Sequence, residues 1–292
     1  MPHNELPFVV WHAWANAAGQ STGVLEIVTS DKRIWSVPSL WGCPVGCTFC
    51  ISSSQAYGGP ITAPDLIALL KNTRRLSQSD KPVELSFTGE GEAVFNATNI
   101  LALVEHLRHW PEIAAARVCV SGLRMENARQ LASFPWPTRL QFSLHSAVQA
   151  SRTRLIPNSI ALPALREKLL QLTALFHSVD LNVVLQAGAN DGDAHLRALL
   201  AFVEGTPWRV VFNPQMVEGA VVEHPDRDAW IDALRAQGTP AEGYRVIGAR
   251  IVQAQIYQRM TFVPPPGNNR SSPPTAELRT RPNTTPRASS LL

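Results

Sequence analysis

The sequence has few cysteines, no long apolar run and almost no excess of charge outside its C-terminal tail. Its four cysteines, three of them within eight residues, are not the framework of a disulfide-rich secreted domain, and clustered reduced thiols favour a reducing cytoplasm. No apolar run approaches the roughly 20 residues of a membrane-spanning helix, so no membrane association is expected. The apolar stretch 6–18 lacks a basic start and contains Pro7, which disfavours a signal peptide. These absences predict a cytoplasmic globular protein.

Charge is distributed unevenly along the chain. The formal net charge is +3, and residues 264–292 contain four arginines and one glutamate, which leaves the first 263 residues neutral. A protein that grips a long RNA through its phosphates usually has a basic surface, so RNA stays open as a partner but is not favoured. The same tail is rich in Pro, Ser, Thr and Asn and has little to bury, so we predict that it is disordered.

Cys43, Cys47 and Cys50 form a Cys-x3-Cys-x2-Cys loop, with Phe49 just before the last thiol. Three thiolates can hold three irons of a 4Fe-4S cluster and leave the fourth iron open for chemistry. Zinc is the alternative, but it prefers four ligands and would have to recruit Cys119 or a distant histidine. The spacing resembles the radical S-adenosylmethionine (SAM) superfamily, in which the open iron binds the methionine moiety of SAM and supplies the electron that breaks a C–S bond.

Strands and helices alternate along the chain from residue 32. Short apolar runs predict strands at 32–37, 83–87, 117–120, 139–143, 181–186 and 209–213. Apolar side chains at helical spacing predict helices at 63–76, 98–109, 125–133, 162–176, 194–204 and 226–236. Such alternation predicts a parallel sheet covered by helices. The fold class is therefore α/β, a partial (β/α)6 TIM-like barrel of the radical SAM type that is open on one side.

The predicted elements divide the chain into three segments. Residues 1–31 are a short N-terminal β extension with a strand at 24–28. Residues 32–263 are the barrel core, in which 244–262 adds one or two further strands. Residues 264–292 are the disordered tail.

Polar residues follow each predicted barrel strand. The cysteine loop follows the first strand, and the later strands end in turns at 88–92, 121–122, 143–146, 188–191 and 213–214. Turns are polar in general, so a single one has little meaning. Because the carboxyl ends of parallel barrel strands converge on one rim, the six together predict a site around the cysteine loop.

The residues of this ring each have a functional and a purely structural interpretation. Glu92, in a Gly-rich turn, suits the ammonium group of SAM, or it is a solvated acidic side chain. Ser121 and Ser143 could hydrogen-bond the ribose or carboxylate of SAM, or they cap turns. His145 is a polar cofactor contact, a proton shuttle or a structural histidine.

Other residues are equally open. Asn213 could reach the ribose or adenine of SAM, but Asn-Pro also starts ordinary turns. Phe49 packs on the adenine or fills the loop. Asn190 and Asp191 shape their loop and cap the next helix. Cys119, inside a strand, is predicted to be buried core.

The order of these motifs resembles one branch of the superfamily, the ribosomal-RNA adenine methyltransferases that act at C2 or C8. The matching segments are 43–50, 89–96 (Gly-Glu-Gly-Glu-Ala-Val-Phe-Asn), 121–122 (Ser-Gly), 143–145 (Ser-Leu-His), 152–158 (Arg-x4-Pro-Asn), 188–191 (Gly-Ala-Asn-Asp) and 213–214 (Asn-Pro). The resemblance implies that SAM is contacted by Gly91, Glu92, Ser121, Ser143, Leu144, His145 and Asn213.

Two catalytic cysteines of that branch are missing from this sequence. One resolves a covalent adduct and stands just before the cluster loop, where this chain has Ser36. The other carries the methyl group and should fall within 251–260, but no cysteine follows Cys119. A hydroxyl is a far poorer nucleophile and leaving group than a thiolate, so the chain cannot run the two-cysteine methyl relay. Cys119, on the third barrel strand, is not expected to replace either one.

Three hypotheses follow. The first is a radical SAM enzyme that reductively cleaves SAM to a 5′-deoxyadenosyl radical, which abstracts hydrogen from a nucleotide, peptide or small metabolite. Its reductant would be a flavodoxin- or ferredoxin-like protein, and no catalytic side chain is assigned beyond the cofactor ring. The second is an RNA adenine methyltransferase that works by another route. The third is a non-catalytic iron–sulfur or zinc protein on the same scaffold.

Overall fold

The structure is a computed structural model, and it describes residues 8–217 and 220–244. The strands are β1 (Phe8–Ala15), β2 (Ser21–Val28), β3 (Arg33–Ser36), β4 (Leu40–Trp41), β5 (Gly59–Pro60), β6 (Val83–Phe87), β7 (Ile113–Val120), β8 (Thr138–Ser143), β9 (Ser178–Val183), β10 (Arg209–Phe212), β11 (Gln215–Val217), β12 (Ala220–Val222) and β13 (Ala241–Gly243). The α-helices are α1 (Ala63–Leu76), α2 (Ala97–Leu107), α3 (Met125–Leu131), α4 (Gln149–Leu155), α5 (Leu162–Thr173), α6 (Asp193–Val203) and α7 (Arg227–Ala236).

One sheet contains nine of these strands, in the order β1-β2-β3-β6-β7-β8-β9-β10-β13. From β3 to β13 every neighbouring pair is parallel, and a helix lies between successive strands in the sequence. The antiparallel hairpin of β1 and β2 extends this sheet through the pairing of β2 with β3. The predicted α/β class, with strand–helix units in a parallel sheet, is therefore confirmed.

Helix α1 shows how the local sequence determines where a helix begins and which of its faces is buried. Thr62 precedes the helix, and its side-chain oxygen accepts the backbone N–H of Asp65 at 3.3 Å. Leu66, Leu69 and Leu70 recur at helical spacing and are completely buried in the main core. The helix thereby covers the outer face of the sheet, as the crossover helices of a parallel sheet do.

Several elements differ from their prediction. The strand predicted at 181–186 is Ser178–Val183, because Val184 and Leu185 stay apolar and buried after the strand has ended. The short polar helix α4 was not predicted, since Gln149–Leu155 carries too few apolar residues for a periodic pattern. β13 adds a seventh parallel strand at Ala241–Gly243.

Two predictions lie outside the described ranges, namely the strands within 244–262, of which only Tyr244 is described, and the disordered tail at 264–292. Within the ranges that are described, none of the helices is both long enough and apolar enough to cross a bilayer.

The inner face of the sheet, opposite the helices, carries a row of charged side chains. Because side chains alternate along a strand, buried Leu85 and Val118 face the helices whereas Glu84 and Arg117 face inward. The strands β6 to β10 and β13 each contribute one such residue, and Lys32 directly precedes β3. We call the set the ionic layer: Lys32, Glu84, Arg117, Arg139, Asp180, Arg209 and Glu242. Ion pairs between neighbouring strands join the members of this layer.

The ionic layer makes stability depend on pH. Burial opposes ionisation of Glu84, but Arg117, Lys32 and Arg139 offset it and lower its pKa below the ordinary value. A lowered pKa contributes stability that is present above the unfolded-state pKa of about 4.5 and is lost as the pH falls through the folded-state pKa.

We therefore predict that Glu84→Gln lowers the free energy of unfolding at pH 7, and that the difference from wild type shrinks below about pH 4.5. Urea unfolding at pH 7 and pH 3.5 measures this difference. Glu126→Gln, at an exposed position on α3, is the matched control. An equal deficit at both pH values would contradict the linkage.

Candidate functional site

The three clustered thiols lie in the loop that follows β4. Gly42 begins this loop with a φ of +70°, and a side chain there would place Cβ 2.5 Å from the carbonyl oxygen of Ala56, so only glycine fits. Within the loop, the N–H of Cys50 donates to the carbonyl of Cys47 at 3.1 Å. Buried Val45 anchors the loop in a small apolar cluster. All three thiols are half-buried, and both Cys43 and Cys47 interact electrostatically with Cys50 and with Glu92.

Burial dominates the chemistry of these thiols. It raises the pKa of Cys43 to about 12, with neighbouring Glu92, Cys50 and Glu90 adding to the effect. The pKa of Cys47 is raised as well, first by burial and then by Cys50 and Cys43. Bound iron would displace these protons, since thiolates are the ligands. Among the described residues no three His, Cys, Asp or Glu side chains converge on a point that suits a single ion.

The turn at 88–92 is held directly against the start of the cysteine loop. The carbonyl oxygen of Glu90 accepts the N–H of Ser39 at 2.7 Å, and its carboxylate accepts the N–H of Gly42 at 3.0 Å. Gly91 has a φ of +102°, and a Cβ there would lie 2.7 Å from the Cβ of Leu40. The turn and the loop therefore meet at backbone distance, which requires glycine at 91.

Glu90 was not predicted as a functional residue. It is 2% exposed, and burial raises its pKa to about 8 against the opposing hydrogen bond from Gly42. Its role in the structure is to fasten the turn to the loop. The Glu-Gly-Glu pattern was visible in the sequence, but nothing local shows which carboxylate points toward which segment.

Glu92 connects the end of β6 to the end of β7. Its carboxylate accepts the backbone N–H of Ser121 at 3.0 Å, and the side chain is 7% exposed. Burial raises its pKa to about 7, and none of the described lysines or arginines forms an ion pair with it. A buried carboxylate without a cationic partner fits an ammonium ligand, which would restore its ionised form.

His145 closes the ring from the end of β8. Its Nδ1 accepts the N–H of Val184 at 3.2 Å, which assigns the proton to Nε2. Burial lowers its pKa to about 3, so the ring is neutral and acts as a donor, not as a base, near pH 7. Phe49 meets it edge to face at 4.6 Å between ring centroids, which joins the cysteine loop to β8.

Arg152 is a second residue to which no role was assigned from the sequence. It is completely buried, and its guanidinium donates to the carbonyls of Ser121 at 2.6 Å and Ser143 at 2.8 Å, and also to that of Leu144. Burial lowers its pKa to about 10, which leaves it charged, and its charge favours the thiolate of Cys47. The Arg-x4-Pro-Asn motif was the only signal for it.

Asn190 fixes the loop after β9. Its amide donates to the carbonyls of His145 and Val184, and its oxygen accepts the N–H of Gln186. The predicted helix cap at Asp191 is wrong, since α6 begins after Gly192 without a side-chain cap. Asp191 instead accepts the N–H of Gly188 at 2.9 Å.

The remaining predicted residues lie on the same rim or just below it. The backbone N–H of Asn213, at the end of β10, donates to the carbonyl of Val183 at 2.8 Å. Ser143 lies 3.7 Å from the thiol of Cys119, side chain to side chain. The prediction that Cys119 is buried core is wrong, because strand alternation places it half-buried on the inner face. Ser36, in place of the family cysteine, lies 3.2 Å from the hydroxyl of Thr88.

Known proteins resemble this chain in sequence and in fold. No protein-family model matches the chain. The chain is 26% identical over 239 residues to a probable dual-specificity RNA methyltransferase RlmN of Thermus thermophilus, covering 76% of this chain and 66% of that protein. It is 29% identical over 256 residues to a dual-specificity RNA methyltransferase of Solidesulfovibrio magneticus, covering 81% and 71%. The chain thus spans about two thirds of the length of these relatives.

Solved structures show the same fold. A radical SAM methyltransferase from Sphaerobacter thermophilus superposes with a TM-score of 0.69 at 22% identity, covering 82% of this chain and 76% of that one. Methylornithine synthase superposes with a TM-score of 0.52 at 12% identity, covering 82% and 74%. The predicted α/β barrel fold is confirmed by these superpositions, and the predicted resemblance to RNA methyltransferases is confirmed by the sequence relatives. The segment 251–260, where the methyl-carrying cysteine was sought, lies outside the described residues.

The position of Arg152 generates a stability prediction. Arg152→Met leaves the carbonyls of Ser121, Ser143 and Leu144 buried without their donor, so we expect the free energy of unfolding to fall by about 3 kcal/mol. Arg154→Met, at an exposed position on α4, is the control and should change it by less than about 0.5 kcal/mol. Urea unfolding monitored by circular dichroism measures both, and equal effects would show that the buried contacts contribute nothing particular.

Proposed function

We propose that this protein is a radical SAM enzyme in which Cys43, Cys47 and Cys50 hold a 4Fe-4S cluster next to a bound SAM. The observation that supports this most directly is the hydrogen bond between Glu90 and Gly42. It brings the turn that carries Glu92 against the cysteine loop, as a cofactor bridging the two would require. When bound and reduced by an external one-electron donor, the cluster would supply the electron for reductive cleavage of SAM to methionine and a 5′-deoxyadenosyl radical, which would abstract hydrogen from the substrate.

The chain's own residues would position SAM. Glu92, oriented by the N–H of Ser121, would accept hydrogen bonds from the SAM ammonium. Gly91 would let the cofactor approach the backbone, and neutral His145 would donate from Nε2. Phe49 would face the adenine.

Three further residues complete the proposed cofactor ring. Ser143 and Asn213 would hydrogen-bond the ribose or carboxylate, and Leu144 would provide a buried apolar contact. Arg152 would hold these strand ends at fixed distances through their carbonyls and is a positioning residue.

A second candidate function is methyl transfer to an RNA adenine by a route without the two-cysteine relay. It is favoured by the printed names of the relatives, which are RNA methyltransferases. It is weakened by Ser36, whose hydroxyl is a poor nucleophile beside a thiolate, and by the neutral charge of residues 1–263. For either function we propose a flavodoxin- or ferredoxin-like reductant in a reducing cytoplasm.

The cluster assignment predicts the iron content. Anaerobic reconstitution of the full chain should give about four irons per chain, as a 4Fe-4S cluster requires. Cys47→Ala should lose most of this iron, whereas Cys119→Ala, the matched cysteine control, should retain it. Elemental analysis and the absorption of the bound cluster measure both variants. A single bound zinc in place of iron and sulfide would contradict the proposal.

The role of Glu92 predicts the loss of cofactor cleavage. With dithionite and SAM, the reconstituted protein should release 5′-deoxyadenosine, and Glu92→Gln should abolish release because a neutral amide no longer balances the SAM ammonium. Glu105→Gln, on the exposed face of α2, is the control. Chromatography with mass detection quantifies the product.

The possible results separate the hypotheses. Normal release by Glu92→Gln would remove that residue from the site. A loaded cluster without any cleavage would favour the non-catalytic iron–sulfur protein. Methylated adenine in RNA from cells that carry the gene, absent from cells without it, would favour the second candidate function.

A further inference from the structure

The ionic layer contains two arginines that face each other, and among the described residues no ion pair places an anion between them. Arg117 on β7 and Arg139 on β8 are direct cross-strand partners on the inner face. Like charges directly opposite each other on neighbouring strands are destabilising. The interiors of related barrels are usually filled by branched apolar side chains, so such a pair is costly here.

The acidic residues of the layer do not neutralise this pair completely. Glu84 pairs with Arg117 and also with Lys32. Asp180 already accepts both hydrogen bonds of a fork from Arg209, at 2.9 and 2.7 Å, and Arg139 reaches it only at 3.6 Å. The layer has four cations and three anions, which leaves one positive charge in excess.

Hydrogen-bond donors are also left over at this point. The Nε of Arg117 is buried and has no hydrogen-bond partner among the described residues. The side chain of Arg139 is 32% exposed, and its single ion pair uses one guanidinium nitrogen. Two guanidinium groups with unused donors match the geometry with which arginine binds carboxylates and phosphates.

Because the sheet is curved, side chains of the ionic layer on distant strands approach one another on its inner face. Glu84 on β6 interacts electrostatically with Arg139, two strands away, and with Arg209, four strands away. An anion placed at Arg117 and Arg139 would therefore lie inside the open barrel.

The same strands lead from this point to the proposed cofactor ring. Arg139, Gln141 and Ser143 alternate along one face of β8, so Ser143 lies about 13 Å above Arg139 at about 3.3 Å per residue. The level between them is polar, with the Gln141 amide donating to Asn182 on β9 at 3.1 Å. The arginines and the rim thus lie on one inner face of the sheet and are connected by polar side chains.

We propose that Arg117 and Arg139 bind an oxyanion of the substrate, a phosphate or a carboxylate, and that the substrate is therefore a small anionic metabolite. This inference rests on the proposed function for the reaction, but the anion site itself does not require a bound cluster.

Calorimetric titration of the reconstituted protein with inorganic phosphate and, separately, with acetate tests the site in the absence of SAM and reductant. We expect one of the two anions to bind with saturation, and the tighter of them identifies the group. Arg139→Gln should weaken that binding at least about tenfold, because it removes one of the two guanidinium groups. Arg129→Gln, an exposed arginine on α3, should leave it unchanged.

A second variant separates recognition from folding. Arg139→Lys keeps the charge but loses the planar fork, so its affinity should fall between those of wild type and Arg139→Gln. Circular dichroism melting and iron content establish that both variants are folded and loaded. Saturable binding that is unaffected by Arg139→Gln, or no binding of either anion, overturns the anion site. If the reconstituted wild-type protein released no 5′-deoxyadenosine, the proposed function would be contradicted, whereas the result of the anion titration would still stand.

Discussion

The hydrogen bond from the N–H of Gly42 to the buried carboxylate of Glu90 is the interaction on which the site depends. The cysteine loop and the 88–92 turn come from different strand–helix units. They meet because the Glu90 carboxylate accepts the N–H of Gly42 and because Gly91 has no side chain to collide with Leu40. Once they meet, Glu92 lies beside the thiols and binds the N–H of Ser121 on the next strand. Arg152 then connects that strand end to the following one. The rim is thus a chain of buried polar contacts, each of which positions the next.

The two faces of the sheet differ in polarity. The outer face is apolar and packs under the helices, which supplies most of the driving force for folding. The inner face carries the ionic layer, then a level of amides and the Cys119 thiol, then the proposed cofactor ring. A polar interior of this kind contributes less to stability than an apolar one, because buried charges lose hydration that their partners only partly restore.

Most of the fold followed from local patterns. The strand–helix order was correct from β3 to α7, and the bounds of α1 and β6 were predicted without error, since their apolar periodicity is strong. Several missed elements are short or polar, such as α4 and β13, but the eight-residue strand β1 was missed as well, and the β9 boundary slipped because apolar residues continue past it. Those elements are formed by tertiary contacts that outweigh a weak local preference.

The sequence by itself determined the cysteine loop, the alternation of elements and the set of polar turns, because spacing and periodicity are properties of adjacent residues. Only the tertiary structure decided which of Glu90 and Glu92 fastens the turn, that Arg152 ties the strand ends together, and that His145 is neutral with its proton on Nε2. It also decided that Arg117 faces Arg139 across a strand pair. These outcomes depend on strand register and burial between segments that are distant in the sequence, and no local pattern contains that information.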